Sequence, residues 1–115
     1  MVVPRFVESA LKDEDLVIHG DGSQTRSFTW VGDVIDYFVK LAELKSFGEI
    51  YNIGCDEGME YTVLEVAKRL IKRIQKTESY DKWITFIKDR PFNDKIYKIN
   101  CNKIKSLNWS TKHNL

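Results

Sequence analysis

Two arginines carry the strongest chemical signal in this chain. Arg26 follows the glycine-bearing turn Gly20-Asp21-Gly22-Ser23-Gln24-Thr25, and Arg90 sits in Asp89-Arg90-Pro91. A guanidinium presents paired donors in a fixed fork that matches phosphate or carboxylate oxygens. Gly20 and Gly22 permit backbone angles and close approaches that a Cβ forbids. Arg26 is therefore expected where a loop meets a strand, within reach of an anion. Arg90 is expected in a loop stiffened by Pro91 after an apolar run. Plainer readings stand beside these: Arg26 as a solvated charge on a hairpin, and Asp89–Arg90 as a surface ion pair worth under ~1 kcal/mol. His19, at the end of a short apolar run, either lines a pocket or simply closes a strand. Asn52 either donates its amide to a ligand or caps its own turn.

Other chemistries find little support. Cys55, Cys101, His19 and His113 are scattered without zinc-ligand spacing. No tyrosine has a lysine four residues on. Gly20 and Gly22 begin a dinucleotide fingerprint, but its third glycine position holds Thr25, and a strand rather than a helix is expected next. The net charge of +1 comes with alternating signs and no basic stripe, so nucleic acid is not an expected partner. No apolar run reaches the ~18 residues of a membrane span, and no secretory leader is recognisable. A cytoplasmic location with reduced thiols is the expectation.

The elements that must position these residues follow from periodicity. Helical spacing of Val3, Phe6, Val7, Ala10 and Leu11 predicts a helix over Pro4 to Lys12. Leu16 to His19 predicts a strand, and Thr25 to Val31 another, rich in β-branched and aromatic residues. Val31, Val34, Ile35, Phe38, Leu41 and Ala42 mark one apolar face of a helix, with Asp33 and Asp36 near its start favouring the positive end of its dipole. Ser46-Phe47-Gly48 is expected to end it. Glu49 to Ile53 predicts a strand and Gly54 to Glu60 a loop. Thr62-Val63-Leu64-Glu65 has the form of a capping box. It opens a helix to about Lys76, whose wet face is Lys68, Arg69, Lys72, Arg73 and Lys76. Trp83 to Ile87 predicts a strand, Lys88 to Asp94 a loop, and Asn102 to Leu107 a short helix. Helices alternating with short strands make the class α/β, in one domain over 115 residues.

The run from Gly20 to Asp33, followed by Gly48-Glu49-Ile50-Tyr51-Asn52-Ile53-Gly54 and by Asp89-Arg90-Pro91-Phe92-Asn93-Asp94-Lys95-Ile96-Tyr97, resembles three successive motifs of the extended short-chain dehydrogenase/reductases that act on nucleotide sugars. The Asp-Arg-Pro word with a following Asp and Tyr is similar to the 4,6-dehydratases within that NAD-dependent epimerase/dehydratase family. The resemblance covers nearly the whole chain and implies the C-terminal, substrate-binding part of that fold, with the Rossmann half missing and both ends short. It implies a nucleotide-sugar-binding domain over residues 1–115, acting on a dTDP- or UDP-sugar in a homodimeric, NAD-dependent enzyme. No catalytic residue is carried over, and the chain alone is expected to be inactive. Arg26 and Arg90 match the arginines that hold the diphosphate, and Asn52 matches a family asparagine. Asn93 stands where relatives often have histidine, Phe92 where they often have glycine. His19 stands in the neighbourhood that touches the nucleotide base in relatives, usually through a tyrosine, and Tyr97 completes the last motif. An epimerase or decarboxylase portion is the neighbouring alternative. A non-catalytic fragment that binds nucleotide sugar or a partner chain is the alternative of another class.

Overall fold

The computed structural model describes residues 1–44, 48–54 and 58–115. Its elements are α1 (Val2–Leu11), β1 (Leu16–His19), β2 (Thr25–Ser27), α2 (Val31–Leu44), β3 (Glu60–Thr62), α3 (Val63–Ile74), β4 (Ile84–Ile87) and α4 (Asn102–Lys105). A 3-10 turn, Asp81–Trp83, precedes β4. The chain divides into two compact units, Met1–Arg26 with Tyr61–Ile96, and Ser27–Glu60 with Tyr97–Leu115.

In the first unit β1 and β4 form a parallel pair, Leu16 opposite Ile84 through His19 opposite Ile87. A parallel pair needs a long crossover, and the connection from β1 to β4 contains β2, α2, β3 and α3. Leu16 and Ile18 point inward and are fully buried, while Val17 between them is exposed, the period-two alternation of a one-sided sheet. Phe6 and Ala10 of α1, with Val63, Val66, Ala67 and Ile71 of α3, supply the rest of the buried layer. The larger of these, Phe6, Val63, Val66 and Ile71, each contribute roughly 1.5–3 kcal/mol when fully buried. The Gln75 amide ties the two helices at their ends, donating to the Ala10 carbonyl at 2.6 Å and to Asp13 Oδ1 at 2.9 Å.

The helix α3 starts where the sequence places it. The Thr62 hydroxyl accepts from Glu65 N at 3.0 Å, and the Glu65 carboxylate accepts from Thr62 N at 2.7 Å. The next free N–H groups reach back to the glycine turn: Val63 N to the Gln24 carbonyl at 3.0 Å, Leu64 N to the Gly22 carbonyl at 3.1 Å. The turn is thus fastened to a helix N-terminus. Its φ angles of +73° at Gly20 and +75° at Gly22 are those that favour glycine.

The second unit gathers around Tyr37, Cys101, Ile104 and Trp109, with Leu41, Tyr51, Ile53 and Leu107 packed against them. The Tyr37 and Trp109 rings lie 5.5 Å apart, and Tyr51 meets Tyr37 edge-on at 5.9 Å. Burial pushes the Tyr37 hydroxyl above its ordinary pKa, with Tyr51 adding to the shift.

Four expectations are corrected here. The strand foreseen over Thr25 to Val31 ends at Ser27, because Val31 already opens α2. On α2 the buried residues are Asp33 and Tyr37, whereas Val31, Ile35 and Phe38 are more than half exposed. The helix turns toward the Trp109 segment, where its aspartate and tyrosine find partners. Glu49 to Ile53 is not assigned as a strand: its groups are met from the 100s instead, by Lys103 Nζ on the Ile50 carbonyl at 2.9 Å. A ladder needs a second edge, and no described strand supplies one to this segment. Trp83 lies in the 3-10 turn rather than in β4. The expected helix end at Ser46-Phe47 and the thiol of Cys55 lie outside the described residues.

Candidate functional site

Arg26 is held by β2 at the edge of the first unit, where Thr25 N donates to the Lys95 carbonyl at 2.8 Å. That bond pins the loop carrying Arg90 beside β2. Arg26 Nη1 donates to the Thr25 carbonyl at 2.7 Å, and its Nη2 reaches Asn93 Oδ1 at 3.4 Å. Arg90 Nη2 reaches the same Asn93 oxygen at 3.3 Å. Two guanidinium groups, 64 residues apart in sequence, therefore converge on one neutral oxygen. The geometry suits an anion with adjacent oxygens, because a guanidinium presents paired donors in a fixed fork.

A carboxylate organises the loop from behind. Asp89 Oδ1 accepts from Arg90 N and from Asn93 Nδ2, each at 2.8 Å. Asp89 packs close against the end of β1 where residue 20 is glycine: a Cβ there would stand 3.0 Å from the Asp89 Cγ and Oδ2. The glycine turn and the Asp-Arg-Pro word are thus one structure. Sequence reading paired Arg26 with Arg90 but missed Asp89 as their organiser. The signal was Gly20, whose close approach had no named neighbour.

The remaining site candidates are placed as follows. His19 ends β1 in the first unit, half-buried, with its carbonyl accepting from Gln24 Nε2 at 3.0 Å. Its Nδ1 is buried and has no hydrogen-bond partner among the described residues. Asn52 and Tyr97 belong to the second unit. The Asn52 amide donates to the Asn100 carbonyl at 3.1 Å, so it fastens a distant segment rather than its own turn. Tyr97 is half exposed and lines a cleft of about 560 Å³ with Ser27, Glu60, Asn100 and Lys105.

A second polar cluster, unforeseen in this form, lies within the second unit at Asp33. Its carboxylate is buried and accepts from Lys112 N at 3.0 Å, His113 N at 3.1 Å and His113 Nδ1 at 2.9 Å. Burial alone would raise its pKa; the ring and main-chain N–H bonds outweigh that and hold the carboxyl below the ordinary 3.8. The Trp109 indole donates to the Asp33 carbonyl at 3.3 Å.

The model of the NAD dependent epimerase/dehydratase family matches residues 1–54. The chain is 38% identical over 114 residues to the dTDP-D-glucose 4,6-dehydratase of Bos taurus, covering 96% of this chain and 32% of the relative. Among solved structures, the dTDP-glucose 4,6-dehydratase of Bacillus anthracis in complex with NAD superposes with a TM-score of 0.83 at 30% identity, over 99% of this chain and 34% of that one. The UDP-glucuronic acid 4-epimerase of Bacillus cereus, in complex with UDP-glucuronic acid and NAD, gives 0.83 at 31% identity, over 99% and 35%. This chain resembles the NAD dependent epimerase/dehydratase family.

The chain spans about a third of the length of these relatives. Its α/β elements match those of the dehydratase structures. A family enzyme needs a dinucleotide cradle, and the glycine turn does not fit one. The space in front of Gly22 is filled by Leu64 Cβ at 3.0 Å and Ile18 at 3.2 Å, and the space at Gly20 by the Asp89 carboxylate. A carboxylate there would repel a pyrophosphate.

Proposed function

We propose that this chain supplies the diphosphate-holding part of a nucleotide-sugar 4,6-dehydratase of the NAD dependent epimerase/dehydratase family. One observation carries the reading: the Arg26 and Arg90 guanidinium groups meet at a single oxygen, that of Asn93. The dehydratase names of the relatives support it. A dTDP- or UDP-sugar would place its diphosphate on the two forks, with His19 and Asn93 of the same unit as the further contacts proposed; Asn52 and Tyr97, in the other unit, are proposed as contacts from the motifs alone. The arginines neutralise the diphosphate and fix its orientation, so the sugar is presented in one pose. Dehydration, a lyase reaction, and its NAD requirement are properties proposed for a family-length protein. The 115-residue chain, with no tyrosine–lysine pair at helical spacing, is proposed to bind without turnover.

A second reading is favoured by the epimerase superposition: the same clamp would serve a nucleotide-sugar 4-epimerase. Product analysis on a family-length protein separates the two, a 4-keto-6-deoxy sugar against a 4-epimer.

The clamp is tested by calorimetric titration of a dTDP-sugar into the parent, Arg26→Ala, Arg90→Ala and the double variant. A hydrogen bond to a charged group contributes roughly 1.5–3 kcal/mol. Each single variant should then lose about 10- to 150-fold in affinity, ~1.4 kcal/mol being tenfold. Parent-like binding by both single variants would show that the arginines are surface charges only.

A further inference from the structure

We infer that Asn93 is a positioning residue: its carboxamide spaces the Arg26 and Arg90 forks by standing where an anion oxygen will sit. The inference rests on the clamp reading just given, and reassigns Asn93 from a ligand contact to the organiser of the pair. Three features support it. Both guanidinium groups point at Asn93 Oδ1, at 3.4 Å and 3.3 Å. These are longer than the about 2.7–3.2 Å of a firm N–H···O bond, so an anion oxygen can take over the donors at small cost. The carboxamide is itself held the other way round, Nδ2 donating to Asp89 Oδ1 at 2.8 Å. Asp89 in turn lies close against Gly20.

The orientation of the amide follows from its surroundings. An ionised carboxylate only accepts, and guanidinium groups only donate. Turning the amide over would set donor against donor on one side and acceptor against acceptor on the other. Gly20, Asp89 and Asn93 thus form a line from the end of β1 to both arginines. Without Asn93, the two like charges would lose the oxygen they share.

The experiment has a ligand-free arm and a binding arm. In the ligand-free chain, Asn93→Ala should shift the guanidinium nitrogen NMR signals of both Arg26 and Arg90. Arg69, stacked over Tyr61 at 4.5 Å, is the control that stays in place. If either Arg26 or Arg90 keeps its parent signals, the inference is overturned, whatever the chain binds. In the binding arm, dTDP is titrated into the Arg26→Ala, Arg90→Ala double-mutant cycle, with Asn93 present and with Asn93→Ala. The two losses should be non-additive by threefold or more with Asn93, and additive without it. Equal coupling in both backgrounds overturns the inference while the clamp stands. Asn93→Asp keeps the shape but puts a carboxylate in the anion's place, and should weaken dTDP binding at least tenfold; parent affinity in this variant also overturns it. Should the parent bind no dTDP, the clamp reading fails, and the ligand-free arm alone decides the role of Asn93.

Discussion

At the scale of single residues, the loop that carries Arg90 holds an unfavourable conformation. Phe92 has φ +60° and a fully exposed side chain. A bulky residue in the left-handed region costs of order 1–3 kcal/mol, and this one recovers nothing by burial. Phe92→Gly should therefore leave the chain as stable or more stable, by up to about 1 kcal/mol once the greater freedom of unfolded glycine is deducted. Urea unfolding reads this directly, with Phe92→Ala, which keeps a Cβ, expected to change little. A clear destabilisation by glycine would mean that the ring has a role in the folded chain. The glycine that relatives often carry at this place was noted from the motif alone; the angle supplies its reason. The Asp89–Asn93 bond, by contrast, had no trace in the sequence. Residues one helical turn apart in number touch here because the loop folds back through Pro91 and Phe92.

Among the elements, α3 was the most legible. Thr62 and Glu65 form the reciprocal cap their spacing promises, and Lys68, Arg69, Lys72, Arg73 and Lys76 are all exposed. Thr62→Ala should cost about 1 kcal/mol by thermal or urea unfolding, as lost caps do. The main-chain and hydroxyl bonds from Thr62 hold the Glu65 carboxyl below its ordinary 4.5. Its stabilisation is therefore complete above that value and is lost as the pH falls through the depressed pKa. Glu65→Gln, which removes the titrating group itself, should also flatten the acid limb of the stability profile, and an unchanged limb would exclude the cap carboxylate as its source. The helix α2 was legible as a helix but not in orientation. Periodicity located an apolar stripe, yet the buried side is set by what packs against it. The Trp109 segment engages Asp33 and Tyr37 instead.

For the molecule as a whole, two units each close on chain segments distant in sequence. The second is fastened at its end by Asp33, which takes the N–H groups of Lys112 and His113 and one ring nitrogen of His113. Since its pKa is depressed, this contribution is present above 3.8 and disappears as pH falls through the lower folded value. The Trp109 indole signal should therefore move in strongly acidic solution. Asn at position 33 accepts with one oxygen and carries no charge, so Asp33→Asn should remove that acid step and loosen the 109–113 segment at neutral pH. An acid step of parent size in Asp33→Asn would place its source elsewhere. The pairing of Arg26 with Arg90 came from the resemblance to the family motifs, whereas the sequence by itself determined the α/β class, the extents of α1, β1 and α3, the capping box and the glycine turn. These rest on local physics: side-chain period, turn angles and short-range hydrogen bonds. Tertiary structure alone decided the rest. It set which face of α2 is buried, why Glu49 to Ile53 has no strand partner, how Gly20 admits Asp89, and that both guanidinium groups meet at Asn93. Each of these depends on a neighbour tens of residues away, and no periodicity within a segment records which neighbour that will be.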